Sequence, residues 1–76
     1  MNAKAQAFKK LFPKRVERIS ENVRILGNCS SRNYEYDQEK VMRAFGSLLR
    51  EYIKCADLFG VTVTAQVDGI EVRVID

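Results

Sequence analysis

Histidine is absent from this 76-residue sequence, and cysteine occurs only twice, at Cys29 and Cys55. The absence of histidine removes the commonest general base and the commonest metal ligand. Two cysteines are also too few for a structural zinc site, which takes four ligands. We therefore expect a chain that is not an enzyme and that needs no metal and no cofactor.

Long apolar runs are missing as well. No stretch approaches the roughly 20 apolar residues that a membrane-spanning helix needs, and residues 1–10 lack the apolar core and cleavage site of a secretory signal. The four glycines never take the spacing of a nucleotide-phosphate loop. We expect a cytoplasmic protein with no membrane partner and no small-molecule substrate.

Both cysteines are expected to be structural residues without a catalytic role. A helix that starts near residue 38 would hold Cys55 about 25 Å from its start, whereas a disulfide needs Cα atoms within about 7 Å, so both cysteines should be reduced. A catalytic role for Cys29 would need a nearby cation, and only Arg32 offers one. We expect Cys29 to be a packed or half-exposed loop thiol and Cys55 to occupy a core position on its helix.

The C-terminal segment 61–76 predicts a β-hairpin. Apolar and polar residues alternate on both sides of Asp68-Gly69, which is a strong two-residue turn pattern. Centring the turn there places six apolar side chains on one face through the pairs Val67 with Ile70, Ala65 with Val72, and Val63 with Val74. The opposite face is polar apart from Ile75, so the apolar face should pack on helices.

Two helices are predicted before this hairpin. Pro13 suits a first helical turn, and the apolar residues that follow it recur at spacings of three and four up to Leu26. Gly27 should end that helix in the left-handed conformation, and Asp37 should cap a second one. We predict a single α+β domain, a two-helix hairpin packed on a two-stranded antiparallel hairpin in the order α-α-β-β. Its segments are an arm or short amphipathic turn at 1–12, helix 1 at 13–26, a loop at 27–36, helix 2 at 37–59 and the hairpin at 61–76.

Helix 2 is unusually apolar. Its main seam comprises Val41, Phe45, Leu48, Tyr52, Cys55 and Phe59, and further apolar residues widen it. We expect one flank to pack on helix 1 and another on the hairpin. Gly46 lies inside this helix at a cost of roughly 1 kcal/mol relative to alanine, so it either permits a close crossing or is simply tolerated.

Positive charge is concentrated in the N-terminal third. Residues 1–26 hold seven bases and two acids, a net charge of +5, while the remainder has a net charge of −2. Nucleic-acid contacts would come from five basic residues: Lys9, Lys10, Lys14, Arg15 and Arg18. The alternative is an ordinary solvated helix face whose positive charge is partly neutralised by Glu17 and Glu21.

A second group of residues has the composition of a protein interface. Arg32 and Tyr34 lie in the central loop, and Arg43 and Arg50 lie on the polar face of helix 2. Arginine and tyrosine are enriched at interface centres. The unpaired hairpin edge and Ile75 also suggest pairing with a second copy, so the predicted partner is another protein or the chain itself as a homodimer.

The stretch from Leu26 to Tyr36, Leu-Gly-Asn-Cys-Ser-Ser-Arg-Asn-Tyr-Glu-Tyr, followed by Glu39-Lys40-Val41 and Phe45, resembles an uncharacterised family of small proteins from conjugative elements, plasmids and phages of Firmicute bacteria. The resemblance covers about residues 15–50, and Ser31 stands where that family more usually has Asn. It implies a bacterial mobile-element setting and no known activity.

Taken together, these patterns predict a non-enzymatic accessory protein that acts by protein–protein binding, such as a mobile-element regulator or inhibitor. The alternative is a small DNA- or RNA-binding accessory protein that uses the basic N-terminal third.

Overall fold

The computed structural model describes residues 2–74, which form two helices followed by an antiparallel hairpin. This confirms the predicted α+β order α-α-β-β. The chain falls into two compact units, one up to Glu35 and one from Tyr36 onward, which are described separately below. The regular elements are α1 at Ala3–Gly27, a 3-10 turn at Asn28–Ser30, α2 at Gln38–Leu58, β1 at Gln66–Val67 and β2 at Ile70–Glu71.

Helix α1 begins ten residues earlier than predicted. The side-chain oxygen of Asn2 accepts a hydrogen bond from the amide of Ala5 at 2.7 Å, which caps the helix there. Residues 3–12 are mostly alanine, lysine, glutamine and leucine, all strong helix formers, and the helix continues through Pro13. The predicted helix start at Pro13 was therefore wrong, and residues 3–12 are part of the helix and form neither a separate arm nor only a short amphipathic turn.

The end of α1 also differs from the prediction. Gly27 has φ −59° and ψ −24°, a right-handed conformation, and the chain tightens into the 3-10 turn instead of reversing at the glycine. The Ser30 hydroxyl donates to the Gly27 carbonyl oxygen at 2.7 Å and stabilises this turn. The irregular connection is consequently shorter than the predicted loop at 27–36.

The caps of α2 follow the sequence pattern. The Asp37 carboxylate accepts hydrogen bonds from the amides of Glu39 at 2.9 Å and Lys40 at 3.4 Å, which confirms it as the N-cap. At the other end Gly60 has φ +74°, and its amide and the next one donate back to the last helical turn. This is a Schellman arrangement in which glycine supplies the left-handed residue.

The predicted hairpin turn and register are present in the second unit. Asp68 and Gly69 have φ of +50° and +81°, as a type I′ turn requires, and Val67 pairs with Ile70. The strands are only two residues long, although a further bond from the Val72 amide to the Ala65 carbonyl oxygen (2.9 Å) extends the pairing. The continuous hairpin predicted for 61–76 was too long, since an isolated two-stranded ribbon is marginally stable. Residues 75 and 76, including the predicted exception Ile75, lie outside the described residues.

One side of α2 packs on the hairpin. The half-buried residues are Val41, Met42, Gly46, Leu49, Ile53 and Ala56 of α2 and Ala65, Val67, Val72 and Val74 of the hairpin segment. Ile70 was expected on the same apolar face, but its side chain remains 69% exposed, and Val63 is exposed as well. No side chain within residues 2–74 is fully buried.

Candidate functional site

A line of apolar side chains runs along α2 on a side that the hairpin does not cover. We call it the α2 seam and define it as Val41, Phe45, Leu48, Tyr52 and Cys55. Phe45, Leu48 and Tyr52 are each 40–44% exposed, and only Val41 is half-buried. The sequence predicted this line but assigned it to the core, so Cys55 is not the core residue expected. The 4-3-4-3 spacing indicates a face on which another element packs, but it does not tell whether that face is buried or exposed.

Two of the predicted interface residues, Arg43 and Arg50, line one groove. This groove between α2 and the hairpin has a volume of about 420 Å³. Arg43 donates to the Glu39 carboxylate at 2.7 Å, whereas Arg50 has no carboxylate within 4 Å in residues 2–74. The groove is lined by Glu39, Met42, Arg43, Gly46, Arg50, Val67, Ile70, Glu71, Val72 and Arg73.

The other two predicted interface residues, Arg32 and Tyr34, belong to the first unit. They follow the 3-10 turn in an irregular segment, where the Tyr34 amide donates to the Ser31 carbonyl oxygen at 3.1 Å. Tyr34 is 59% exposed. The structure thus places both side chains on the surface, two residues apart.

Three of the five predicted nucleic-acid residues form one row on α1. Lys10, Lys14 and Arg18 follow each other at four-residue intervals, about 6 Å apart along the axis. Lys9 and Arg15 each lie one residue from this row, about 100° around the helix, so they project from other sides. All five side chains are exposed, and none has a carboxylate within 4 Å in the described part of the chain.

The described residues offer little support for metal binding, a disulfide or a membrane-spanning helix. Across 2–74 there is no cluster of three or more side chains that could hold a metal ion, and both thiols are free and exposed. Neither helix in this range has the length and apolarity to cross a membrane. The exposed surfaces of the described residues include the α2 seam, the groove between α2 and the hairpin, the Arg32–Tyr34 segment and two sides of α1. One side of α1 is the basic row, and the other is an apolar stripe that includes Val16, Ile19 and Val23.

No protein-family model, curated protein or solved structure matches this chain. The resemblance to mobile-element proteins stays a prediction.

Proposed function

We propose that this chain is a non-enzymatic protein-binding protein and that the α2 seam is its main contact surface. The observation that carries the proposal is the exposure of Phe45, Leu48 and Tyr52 in one continuous line. Soluble monomers rarely leave a contiguous apolar patch uncovered, and such patches mark interaction sites. Aromatic rings in the centre of an interface supply much of its binding energy.

Two of the predicted interface residues, Arg43 and Arg50, project from the side of α2 opposite the seam, where they line the groove with the hairpin. The Arg50 guanidinium has no carboxylate within 4 Å among the described residues, so it is proposed to pair with a carboxylate of a partner that contacts this groove. Arg43 is held by Glu39 and would contribute less. Arg32 and Tyr34, in the first unit, are proposed as separate contacts with a protein partner. In this proposal the chain acts in the cytoplasm as a regulator or inhibitor carried by a bacterial mobile element.

Site-specific photocrosslinking tests the proposal. The photoreactive residue p-benzoylphenylalanine would replace Tyr52 in the full chain, which would be expressed in bacteria and irradiated. The matched control replaces Asp57, an exposed residue on another side of the same helix. We expect protein adducts from position 52 and far fewer from position 57. Absence of any protein adduct from position 52, or equal yields from both positions, would overturn the proposal.

Nucleic-acid binding is the second candidate, and the row Lys10, Lys14 and Arg18 favours it. A phosphate binder needs exposed cations that are not already paired, and these three meet that condition within the described residues. The regular spacing along one helix would let the row follow a sugar-phosphate backbone.

Salt dependence tests this second candidate. Binding to a fluorescent DNA duplex, single-stranded DNA and RNA would be measured at 50 and 150 mM salt. Three phosphate contacts predict a loss of about 20-fold in duplex affinity over that range. The variant Lys10→Glu/Lys14→Glu/Arg18→Glu should lose binding, whereas the control Lys40→Glu/Lys54→Glu/Arg73→Glu makes the same charge change in the second unit and should retain most of it. Equal losses in both variants, or no binding at 50 mM salt, would contradict a role for the row.

A further inference from the structure

We propose that the groove between α2 and the hairpin binds an extended, acidic segment of a partner protein, which pairs with the open edge of β2 and places a carboxylate on Arg50. This inference rests on the proposed function, because it names the kind of protein segment that a second surface of α2 would take. The groove lies entirely within the second unit, on the side of α2 opposite the seam.

Strand β2 has one edge without a neighbouring strand among the described residues. Val67 pairs with Ile70 next to the turn. The Val72 amide donates to the Ala65 carbonyl oxygen at 2.9 Å. Because the direction of hydrogen bonding alternates along a strand, the amide and carbonyl of Glu71, between these pairs, point away from β1. The open edge therefore offers backbone groups to an extended chain, and a third strand would stabilise a ribbon of two-residue strands.

The groove continues from β2 onto α2. Residues 70–73 line one wall, and the other wall includes Glu39, Arg43, Gly46 and Arg50, which recur at helical spacing. A strand added beside β2 would lie over this row. Gly46 has no side chain to fill the groove, and Arg50 Nη1 lies 3.8 Å from the point that a Cβ would occupy there. The glycine that is costly inside a helix thus leaves room for an added strand and for the Arg50 guanidinium.

The charges of the groove favour an acidic occupant. Its lining contains three arginines and two glutamates, a net charge of +1. Glu39 is already paired with Arg43 at 2.7 Å. Glu71 is paired with Arg73 at 3.7 Å. The Arg50 guanidinium has no carboxylate within 4 Å in residues 2–74, so a carboxylate of the occupant would supply the missing partner.

The first unit has the wrong charge and the wrong backbone for this role. Residues 1–35 contain eight basic and three acidic residues, a net charge of +5. Most of the unit is α1, whose amides are bonded within the helix and cannot pair with a strand edge. A second copy's β2 would bring Glu71 together with Arg73, which leaves the positive charge of the groove uncompensated. Charge complementarity therefore favours a different, acidic chain.

Titration of the ¹⁵N-labelled full chain, followed by NMR, tests the proposal. The probe is an eight-residue peptide of alternating valine and glutamate, at 150 mM salt. We expect saturable shifts at the amides of Gly46 and residues 70–73, with a dissociation constant of about 1 mM or tighter. A peptide of alternating valine and lysine should bind about tenfold more weakly, because its charge matches that of the groove. No saturable shift with the acidic peptide, or equal affinity for both peptides, would overturn the proposal.

Reversing the charge at Arg50 should exchange this preference. Arg50→Glu changes the net charge of the groove lining from +1 to −1. The variant should bind the acidic peptide about tenfold more weakly than the wild-type chain and should now prefer the lysine peptide, a gain that an unfolded chain could not show. The control Arg24→Glu makes the same change at an exposed position of the first unit and should keep the wild-type preference. Equal effects of the two variants would contradict a site at Arg50.

Filling the groove gives a variant that does not threaten the helix. Gly46→Leu places a good helix former at this position and a side chain in the groove. It should weaken binding of the acidic peptide about fivefold or more without lowering the midpoint of thermal unfolding. Unchanged affinity would contradict a strand that lies over Gly46.

Backbone methylation tests the pairing with β2. Amides of a strand point alternately toward and away from the neighbouring strand. The acidic peptide would be methylated either at all its valine amides or at all its glutamate amides. One of the two peptides should lose binding, and the other should retain most of it. Equal affinities of the two methylated peptides would contradict strand pairing.

The photocrosslinking experiment at position 52 separates failure of this inference from failure of the proposed function, because Tyr52 lies in the seam. Protein adducts at position 52 without peptide binding would overturn the groove site and leave the seam standing. Peptide binding without adducts would overturn the seam and support the groove. Amide shifts at residues 70–73 that depend on protein concentration without peptide would show pairing with a second copy and overturn the acidic partner.

Discussion

Replacing Pro13 by alanine should stabilise the first ten residues of α1. Pro13 lies inside the helix and has no amide hydrogen, so the Lys9 carbonyl lacks its usual partner four residues on. If the helix began at Pro13 instead, proline would occupy a favourable first-turn position and alanine would bring no gain. The substitution therefore distinguishes the helix at Ala3–Gly27 from a helix at 13–26.

The size of the effect follows from helix propensity. Proline in a helix interior costs about 3 kcal/mol relative to alanine. Lys9 is exposed, so water can partly satisfy its carbonyl oxygen. The substitution should therefore stabilise this part of α1 by at least about 2 kcal/mol. At about 1.4 kcal/mol for each factor of ten, protection of the amides of residues 6–12 from hydrogen exchange should rise about 30- to 100-fold.

Hydrogen exchange followed by NMR gives this protection residue by residue. The control Ser20→Ala changes another exposed position of the same helix and should stabilise it by only about 0.5 kcal/mol. If Pro13→Ala leaves exchange at residues 6–12 unchanged, then those residues are not held in the helix and the argument for an early start at Asn2 fails.

Three further substitutions test the local structure of the second unit. Asp37→Ala removes the acceptor of two amide hydrogen bonds at the start of α2 and should cost about 1 kcal/mol in thermal unfolding followed by circular dichroism, whereas Asp37→Asn should retain most of the stability. Gly46→Ala should stabilise α2 by about 0.5–1 kcal/mol, because an added Cβ would meet only Arg50 Nη1 at an ordinary 3.8 Å; destabilisation in the same assay would contradict this. Gly69→Ala should destabilise the hairpin by about 1 kcal/mol, because φ at this position is +81°, and unchanged hairpin chemical shifts in NMR spectra would argue against the type I′ turn.

Sequence patterns predicted the features that depend on a few neighbouring residues. Asp37 as a cap and Asp68-Gly69 as a turn both act through local hydrogen bonds or backbone conformation, and each is present. Pro13 misled the prediction because a proline at a first turn and a proline inside a helix look alike in sequence. Asn2 and the helix formers after it were the better guide to where α1 begins.

Features that depend on packing were less predictable. The hairpin register is correct, but the length of its strands depends on how much of α2 covers them, and the alternating pattern does not contain that information. Ile70 occupies the predicted apolar face and yet is exposed, because a short ribbon on one helix covers only part of that face. For the same reason the sequence located the α2 seam but could not distinguish a core position from a surface one.

The width of the apolar surface on α2 explains why this helix suggests both a core and an interface. A two-stranded hairpin packs against one side of a helix, and here that side is the one with Leu49 and Ile53. Phe45 and Tyr52 lie on a different side, so lengthening the hairpin would not cover them. Their burial needs a second surface with the same helical repeat. If a partner supplies it, then binding of that partner should stabilise this unit, and the stability should rise with the concentration of the partner.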